Sequence, residues 1–281
     1  MPAGLRSIAR VLGSRGLLGA AIVSLAVIAA LAGPYLAPYD PSAQLLPDRL
    51  RPPSWGHPFG LDELGRDIFT RVLLGTRVSL AVSVAVVSVS AFLGILLGSV
   101  AGYFGGVIDE VLSRIIDILL AFPGILLAIA LVAVFGPSLE HAVTALAAIG
   151  WVGYARLVRG QVLRIRELDR VQAARALGAG PVRLLMRHVI PDTLPAVVVQ
   201  ATLGMGAAII AEASLSFLGL GVQPPTASWG TMLDAGRTHV FDAPHLTWFP
   251  GLAIAALVLG FNFVGDGLRD AIDPKRPALE R

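Results

Sequence analysis

Long charge-free stretches of apolar residues recur along the chain at lengths that suit membrane-spanning helices. An α-helix needs about 20 such residues to cross the hydrocarbon core of a bilayer, which is roughly 30 Å thick. The stretches lie at 17–36, between Arg77 and Asp109, between Asp117 and Glu140, between Glu140 and Arg156, between Asp192 and Glu212, and at 249–264. The pattern therefore predicts an all-α membrane protein with six transmembrane helices.

Two of these stretches have a second interpretation. The fourth is the shortest, and it crosses the bilayer only if Arg156 and Arg159 extend from its last turns toward the headgroups. Otherwise it is a re-entrant or interfacial segment. The first is preceded by Arg6, Arg10 and Arg15, which resemble the basic start of a signal peptide. Its apolar run is too long for such a peptide, so we expect a retained helix.

Basic residues concentrate in one loop, and this predicts the orientation. The loop from 156 to 192 holds eight arginines against three acidic residues, whereas the loop from 216 to 248 holds one arginine against two. Arginine favours the cytoplasmic side of a membrane. With six spans, the loop from 156 to 192 and both termini are therefore expected in the cytoplasm. This topology accounts for the net charge of +3 and gives no reason to expect a nucleic-acid partner.

Composition excludes several classes of catalytic protein. Only 15% of residues are charged, against about a quarter in soluble domains, and the mean hydropathy is +0.75. The chain has no cysteine, which removes thiolate metal sites and disulfides. Its one lysine, Lys275, lies between Pro274 and Arg276, so it forms no Walker A loop. The sequence predicts a non-catalytic chain with no metal or cofactor of its own.

The basic loop has an ordered pattern of its own. Helix-forming residues from Leu168 to Leu177 precede Gly178-Ala179-Gly180-Pro181, a sequence that ends one helix and begins another. An apolar face follows at Val182, Leu185, Met186 and Val189, with Arg183 and Arg187 beside it. We expect Pro191 to end this second helix. The pair of helices either docks a soluble partner or lies in the headgroup layer.

This loop resembles the EAA motif of ABC importer permeases, which reads E-A-A, three residues, G, nine residues, I-x-L-P. The matching residues are Gln172-Ala173-Ala174, then Gly178, then His188-Val189-Ile190-Pro191. Three positions depart from the pattern: Gln172 replaces Glu, His188 replaces Ile and Ile190 replaces Leu. Gln172 loses a negative charge but keeps its capacity for hydrogen bonds, so we expect docking to survive.

Five further blocks resemble permeases of the peptide/nickel family, of the OppC/DppC type. They lie at 57–80, 101–123, 150–163, 211–233 and 261–274, so the resemblance extends over most of the chain. It implies the type I ABC importer permease architecture. It also implies a multi-pass subunit of a bacterial or archaeal inner membrane.

The resemblance implies partners that supply what this chain lacks. They are a homologous second permease of the OppB/DppB type, two ATPase subunits that bind ATP and Mg, and an extracytoplasmic binding protein. The contact with the ATPases would fall on Leu168, Val171, Gln172, Ala173, Ala174, Leu177, Gly178, Ala179, Gly180, Val182, Arg183, Leu185, Met186, Arg187, His188 and Pro191. The substrate-binding residues are not identified by the resemblance.

Three regions are expected along the chain. Residues 1–76 form an N-terminal helix and a Pro-rich extracytoplasmic loop. Residues 77–270 form the permease domain with the coupling loop at 164–192, and residues 271–281 form a cytoplasmic tail. The segment from Ser214 to Met232, rich in Gly and Pro, is expected to make a short turn near the outer leaflet.

The predicted function is the permease subunit of an ATP-driven importer of di- or oligopeptides. A nickel-importer permease of the same family remains an alternative. A self-sufficient secondary transporter is a second alternative, and it would need ionisable groups deep in the membrane. The four candidates lie near predicted span ends, where we expect structural roles: Arg114, Asp117, Glu212 and Asp266.

Overall fold

The computed structural model describes residues 3–272, with side chains from residue 13 onward. The helices are α1 (Ala3–Leu36), α2 (Ile68–Phe104), α3 (Gly106–Leu120), α4 (Gly124–Phe135), α5 (Leu139–Ile165), α6 (Asp169–Ala176), α7 (Pro181–Leu184), α8 (Ile190–Phe217), α9 (Trp229–Gly236) and α10 (His245–Ile272). Between residues 3 and 272 no β-strand forms, apart from one isolated bridge between Leu61 and Asp67. The all-α prediction is confirmed.

Within residues 3–272, five helical stretches are long and apolar enough to cross a membrane. They are Gly13–Leu36, Ile68–Phe104, Leu139–Ile165, Pro181–Phe217 and His245–Ile272. The fourth predicted stretch is therefore part of a long helix, the 27-residue α5, and not a re-entrant segment. Helix α2, the second of these, continues across residues 76 and 77, where the predicted N-terminal region meets the predicted permease domain.

The third predicted span is wrong as a single straight helix. It is broken into α3 and α4, which meet at an angle of 87°. Pro123 explains the break, because its ring disfavours helical geometry at the residue before it and it has no N–H for the turn behind. Alone, the 12 residues of α4 cover about 18 Å, which is less than the bilayer core.

Contacts with α5 show that α3 and α4 together still cross the bundle. Asp109, near the start of α3, bonds to Arg159. Further on, Ile116 packs in one cluster with Val152. At the other end of the pair, α4 packs in a separate cluster against the first half of α5. The chain therefore advances past α5 in steps, and the bent pair is together long and apolar enough for a sixth span.

Helices α2 and α5 pack in parallel through a row of glycines. A Cβ added to Gly94 would lie 2.2 Å from Cβ of Tyr154, and one added to Gly98 would lie 2.5 Å from the carbonyl oxygen of Ala155. Small residues spaced four apart allow such close backbone approach in membrane helices. Because the two helices point the same way, the ends of α2 and α5 lie at the same end of the bundle.

The other long helices alternate in direction. Helix α8 runs antiparallel to α2, since Ser79 contacts Glu212 whereas Val87 lies near Gly204. Helix α10 is antiparallel to α8, and α1 is antiparallel to α10. The end that carries the 166–189 loop, with the start of the α1 span and the end of α10, is called the arginine-rich end below. The end that carries the 37–67 loop is called the proline-rich end.

We expect Gly94→Leu to lower the thermal stability of the folded protein, because the added side chain pushes α2 away from α5. Overpacking of this kind costs about 1–3 kcal/mol. The measurement is the midpoint temperature of unfolding in detergent, with the yield of extracted protein. Gly153→Leu is the matched control, since Gly153 lies on α5 with nothing within 4 Å of an added Cβ. An equal loss in both variants would contradict the packing role.

Candidate functional site

The arginine-rich end carries a compact helix–turn–helix, as the sequence predicts. Helix α6 ends at a turn in which Gly178 has a φ of 87°. The N–H of Ala179 donates to the carbonyl of Ala174 at 3.1 Å, and the N–H of Gly178 donates to the carbonyl of Arg175 at 3.0 Å. These two bonds form a Schellman motif, which needs a left-handed residue at the position of Gly178. Pro181 then opens α7.

The prediction that Pro191 ends the second helix is wrong. Helix α7 passes through a π-helical turn, Leu185–Val189, directly into α8, and Pro191 lies in the first turn of α8. In a regular helix the proline ring would clash with the carbonyl four residues earlier, and a π turn changes the register at that point. The result is one continuous helical rod, Pro181–Phe217, with 37 residues and a length of about 55 Å.

The predicted apolar face is divided between two surroundings. Leu185 and Val189 are buried in the bundle core, whereas Val182 and Met186 are 72% and 64% exposed. Periodicity identifies an amphipathic helix but not which part of its apolar face the same chain covers. Of this predicted apolar face, only Val182 and Met186 are therefore exposed to a partner or to lipid headgroups.

A smaller apolar surface remains at the tip of the loop. We call Leu177, Val182 and Met186 the tip patch; Leu177 is 89% exposed. Arg183 and Arg187 are exposed beside it.

The predicted coupling residues fall into three classes of exposure. Exposed ones are Leu168, Ala173, Leu177, Gly178, Gly180, Val182, Arg183, Met186, Arg187 and Pro191. Half-buried ones are Gln172, Ala174, Ala179 and His188, and buried ones are Val171 and Leu185. Most of the predicted coupling residues are therefore exposed, whereas Val171 and Leu185 pack in the apolar core of the bundle.

Three arginines attach the helix–turn–helix to the ends of the long helices. Arg166 Nη1 donates to the carbonyl of Gly102 at 2.9 Å, at the end of α2. The guanidinium of Arg175 lies over the ring of Tyr103, 5.8 Å from its centre. Arg170 forms an ion pair with Asp192, in the first turn of α8. Sequence reasoning missed these contacts, because arginines in a loop predicted to be cytoplasmic are already explained by topology.

Gln172 has a structural reason for its departure from the EAA pattern. Its Nε2 donates to the carbonyl of Arg166 at 2.9 Å, just after α5, and lies 3.5 Å from Oε2 of Glu167. A glutamate at this position could not donate this bond when ionised, and it would be repelled by Glu167. The amide therefore stabilises the connection between α5 and α6.

The four ionisable candidates differ in their surroundings. Glu212 does not follow the fifth span as predicted, because α8 continues to Phe217. Its carboxylate is fully buried and accepts hydrogen bonds from Ser216 Oγ at 2.7 Å and Ser79 Oγ at 3.4 Å.

The other three candidates are exposed: Arg114, Asp117 and Asp266. Arg114 and Asp117 do not pair with each other in the described part of the chain. The predicted turn near the outer leaflet starts later than Ser214, at the residues that follow α8, and leads into α9.

Two family models match this chain. One, described as the binding-protein-dependent transport system inner membrane component, matches residues 94–276. The other, the N-terminal TM domain of oligopeptide transport permease C, matches residues 15–53. Together they cover most of the first span, the last third of α2 and the helices that follow it.

Similar proteins include two named transport permeases. The glutathione transport system permease protein GsiD of Pectobacterium atrosepticum is 47% identical over 254 residues, covering 90% of this chain and 84% of the relative. The dipeptide transport system permease protein DppC of Alkalihalophilus pseudofirmus is 46% identical over 259 residues, covering 92% and 85%.

The fold is also similar to a solved transporter. An inward-facing structure of the MetNI methionine ABC transporter matches with a TM-score of 0.53 and 22% identity. The match covers 69% of this chain and 95% of that one. At this identity the likeness supports the helical architecture alone.

We expect Gly178→Val to open the turn after α6, since a β-branched residue with positive φ costs about 1–2 kcal/mol. Hydrogen exchange of the Ala179 amide should then become about 5- to 30-fold faster. Gly180→Val is the matched control, because an added Cβ meets nothing within 4 Å at either glycine and Gly180 has a φ of −70°. Equal exchange rates in the two variants would show that the turn does not depend on Gly178.

Proposed function

The chain belongs to the family of binding-protein-dependent transport system inner membrane components, and from this premise we propose that it is the permease subunit of an ATP-driven peptide importer. It forms one half of a translocation pathway with a second, homologous permease. Two ATPase subunits bind ATP and Mg, and an extracytoplasmic binding protein delivers the substrate. This chain itself catalyses no reaction.

The proposal of a peptide substrate is supported by the names of the relatives. One is a dipeptide permease and another a glutathione permease, and glutathione is itself a small peptide. Both share nearly half of their aligned residues with this chain over most of its length. The nickel alternative has no comparable support.

The proposed orientation follows from charge. The arginine-rich end faces the cytoplasm, because arginine resists transfer across the membrane. Since the α1 span begins at that end and α10 finishes there, we propose that both termini face the cytoplasm. The proline-rich end then faces outward, where the binding protein would dock.

The observation that supports this function is the exposed tip patch, together with the arginine contacts that attach the helix–turn–helix to the long helices. Leu177, Val182 and Met186 present apolar side chains that no described residue of this chain covers. A soluble partner that buries them would act on a rigid element, because Val182 and Met186 belong to the rod that continues through the membrane. We assign this surface to the ATPase subunits.

The attachments supply a route for movement. Displacement of α6 would act on α2 through the contacts of Arg166 and Arg175, and on α8 through the ion pair of Arg170. Gly178 sets the angle between α6 and the rod. Closure of the ATPases on ATP would thus turn helices of the pathway from an inward-facing to an outward-facing arrangement.

Reconstituted vesicles provide the direct test. The complete set of subunits, purified through a tag on this chain, should take up labelled dipeptide only with ATP and the binding protein. Uptake of Ni²⁺ without uptake of any peptide would contradict the proposed substrate. Purification of this chain without a second permease or ATPase would contradict the proposed assembly.

We expect the triple variant Leu177→Ser, Val182→Ser and Met186→Ser to lose ATPase subunits during purification. Burial of one such side chain contributes about 1.5–3 kcal/mol, so affinity should fall by at least about 100-fold. Phe241→Ser is the control, because Phe241 is 101% exposed in the connection between α9 and α10, at the opposite end of the bundle. An unchanged ATPase content, with weaker binding of the loop to lipid, would favour the headgroup-layer interpretation instead.

A further inference from the structure

A cavity of about 380 Å³ lies at the proline-rich end of the bundle. Its walls come from the loop before α2, the first turn of α2, the segment after α8, and α9, with Leu246 from the start of α10. Volumes of this order suit small-molecule sites. Five charged residues line the cavity, although it adjoins a membrane protein's apolar core: Asp62, Glu63, Arg66, Arg71 and Asp234.

Arg71 is a buried charge whose hydrogen-bonding capacity is only partly used. The residue is 4% exposed, and its Nη1 donates to the carbonyl of Pro41 at 2.8 Å. Its Nε has no hydrogen-bond acceptor among the described residues. The carboxylate of Asp62 is 3.8 Å away, beyond hydrogen-bond distance. A buried guanidinium in this state is costly unless another acceptor reaches it.

Asp62 is already occupied by other donors. Its carboxylate accepts from Arg66 Nε at 2.6 Å and from the backbone N–H groups of Leu64 and Arg66, each at 2.9 Å. Asp62 therefore compensates Arg66 first. Arg71 is left on the cavity wall with only a long ion pair to Asp62 and with an Nε that no acceptor among the described residues reaches. The planar fork of a guanidinium fits a carboxylate better than any other common anion except phosphate.

The same cavity also offers a negative group. Glu63 is half-buried on the wall and has no ion-pair partner in the part of the chain that the structure describes. Asp234, by contrast, is paired with Arg237 at 3.2 Å. A guanidinium with an unbonded Nε and a carboxylate without an ion-pair partner among the described residues therefore line the same cavity. This combination suits a small molecule that carries both an ammonium and a carboxylate.

We propose that this cavity binds the two charged termini of a peptide, with Arg71 holding the α-carboxylate and Glu63 the ammonium. This proposal rests on the proposed function, because the ligand assigned to the cavity is the peptide that the transporter carries. Its site is the outward mouth of the pathway, before the membrane is crossed. Arg71 and Glu63 are thus specificity-determining residues for short peptides with free ends.

The cavity is also connected to the rod. Ser216, which lines the cavity, lies in the last turn of α8 and donates to the buried carboxylate of Glu212. The backbone N–H of Val222, also on the wall, donates to Ser216 Oγ at 3.1 Å. Movement of the rod would therefore change the shape of the cavity, and this would allow the bound peptide to be released.

The test uses the whole complex in nanodiscs, without binding protein, and calorimetric titration with dialanine, dialanine amide and N-acetyl-dialanine. We expect each modified peptide to bind at least about 10-fold more weakly than dialanine. In Arg71→Gln, dialanine and its amide should bind equally, whereas Arg71→Lys should keep part of the preference. Arg51→Gln is the control and should keep all of it, because Arg51 pairs with Asp48 outside the cavity.

Equal binding of dialanine and its amide to the unaltered complex would overturn the proposal, as would an unchanged preference in Arg71→Gln. If Arg71→Gln yields no folded protein, Glu63→Gln decides: it must lose the preference for a free over an acetylated amino group, and a retained preference overturns the proposal. Peptide uptake by the unaltered transporter is measured in parallel. If the transporter takes up peptide but the cavity does not discriminate between dialanine and its modified forms, only this inference is contradicted. If the transporter takes up no peptide, the proposed function is contradicted.

Discussion

The close parallel packing of α2 against α5 is the constraint on which the rest of the structure depends. Gly94 and Gly98 bring the backbones together, and no larger residue fits at either position without moving Tyr154 or Ala155. Two parallel neighbours require the intervening chain to return across the bundle, which α3 and α4 do. The same packing sets the ends of α2 and α5 side by side, and the helix–turn–helix of the loop is fastened there through Gly102 and Tyr103.

The second organising element is the rod from Pro181 to Phe217. It joins the exposed tip patch at one end of the molecule to Ser216 and the charged cavity at the other. Its interior contacts differ along its length: apolar near Val189, and hydrogen-bonded near Glu212, whose carboxylate links α8 to Ser79 of α2. A force applied at the tip therefore reaches the cavity through a single helix and not through a chain of loops.

Much of this architecture follows from the sequence, and the exceptions have physical causes. Apolar length identified the spans, and the sequence Gly178 to Pro181 identified the turn, because both are local properties. The break at Pro123 was missed because hydropathy ignores helix geometry. The division of the apolar face was missed because periodicity does not say which part the same chain covers. Arg71 was missed because an arginine before a span looks like ordinary interfacial charge until its burial and its missing acceptor are seen.

The break between α3 and α4 has a consequence for what surrounds this subunit. Residues 121–123 are not helical, and residues 121–126 are all exposed on the surface of the chain, about level with Ile149 in the middle of α5. Hydrocarbon tails offer no hydrogen bonds to carbonyl and amide groups freed at such a break. Lipid is therefore an unsuitable neighbour for this stretch of backbone. Water or another polypeptide suits that flank of the bundle better, because either can supply the missing hydrogen bonds.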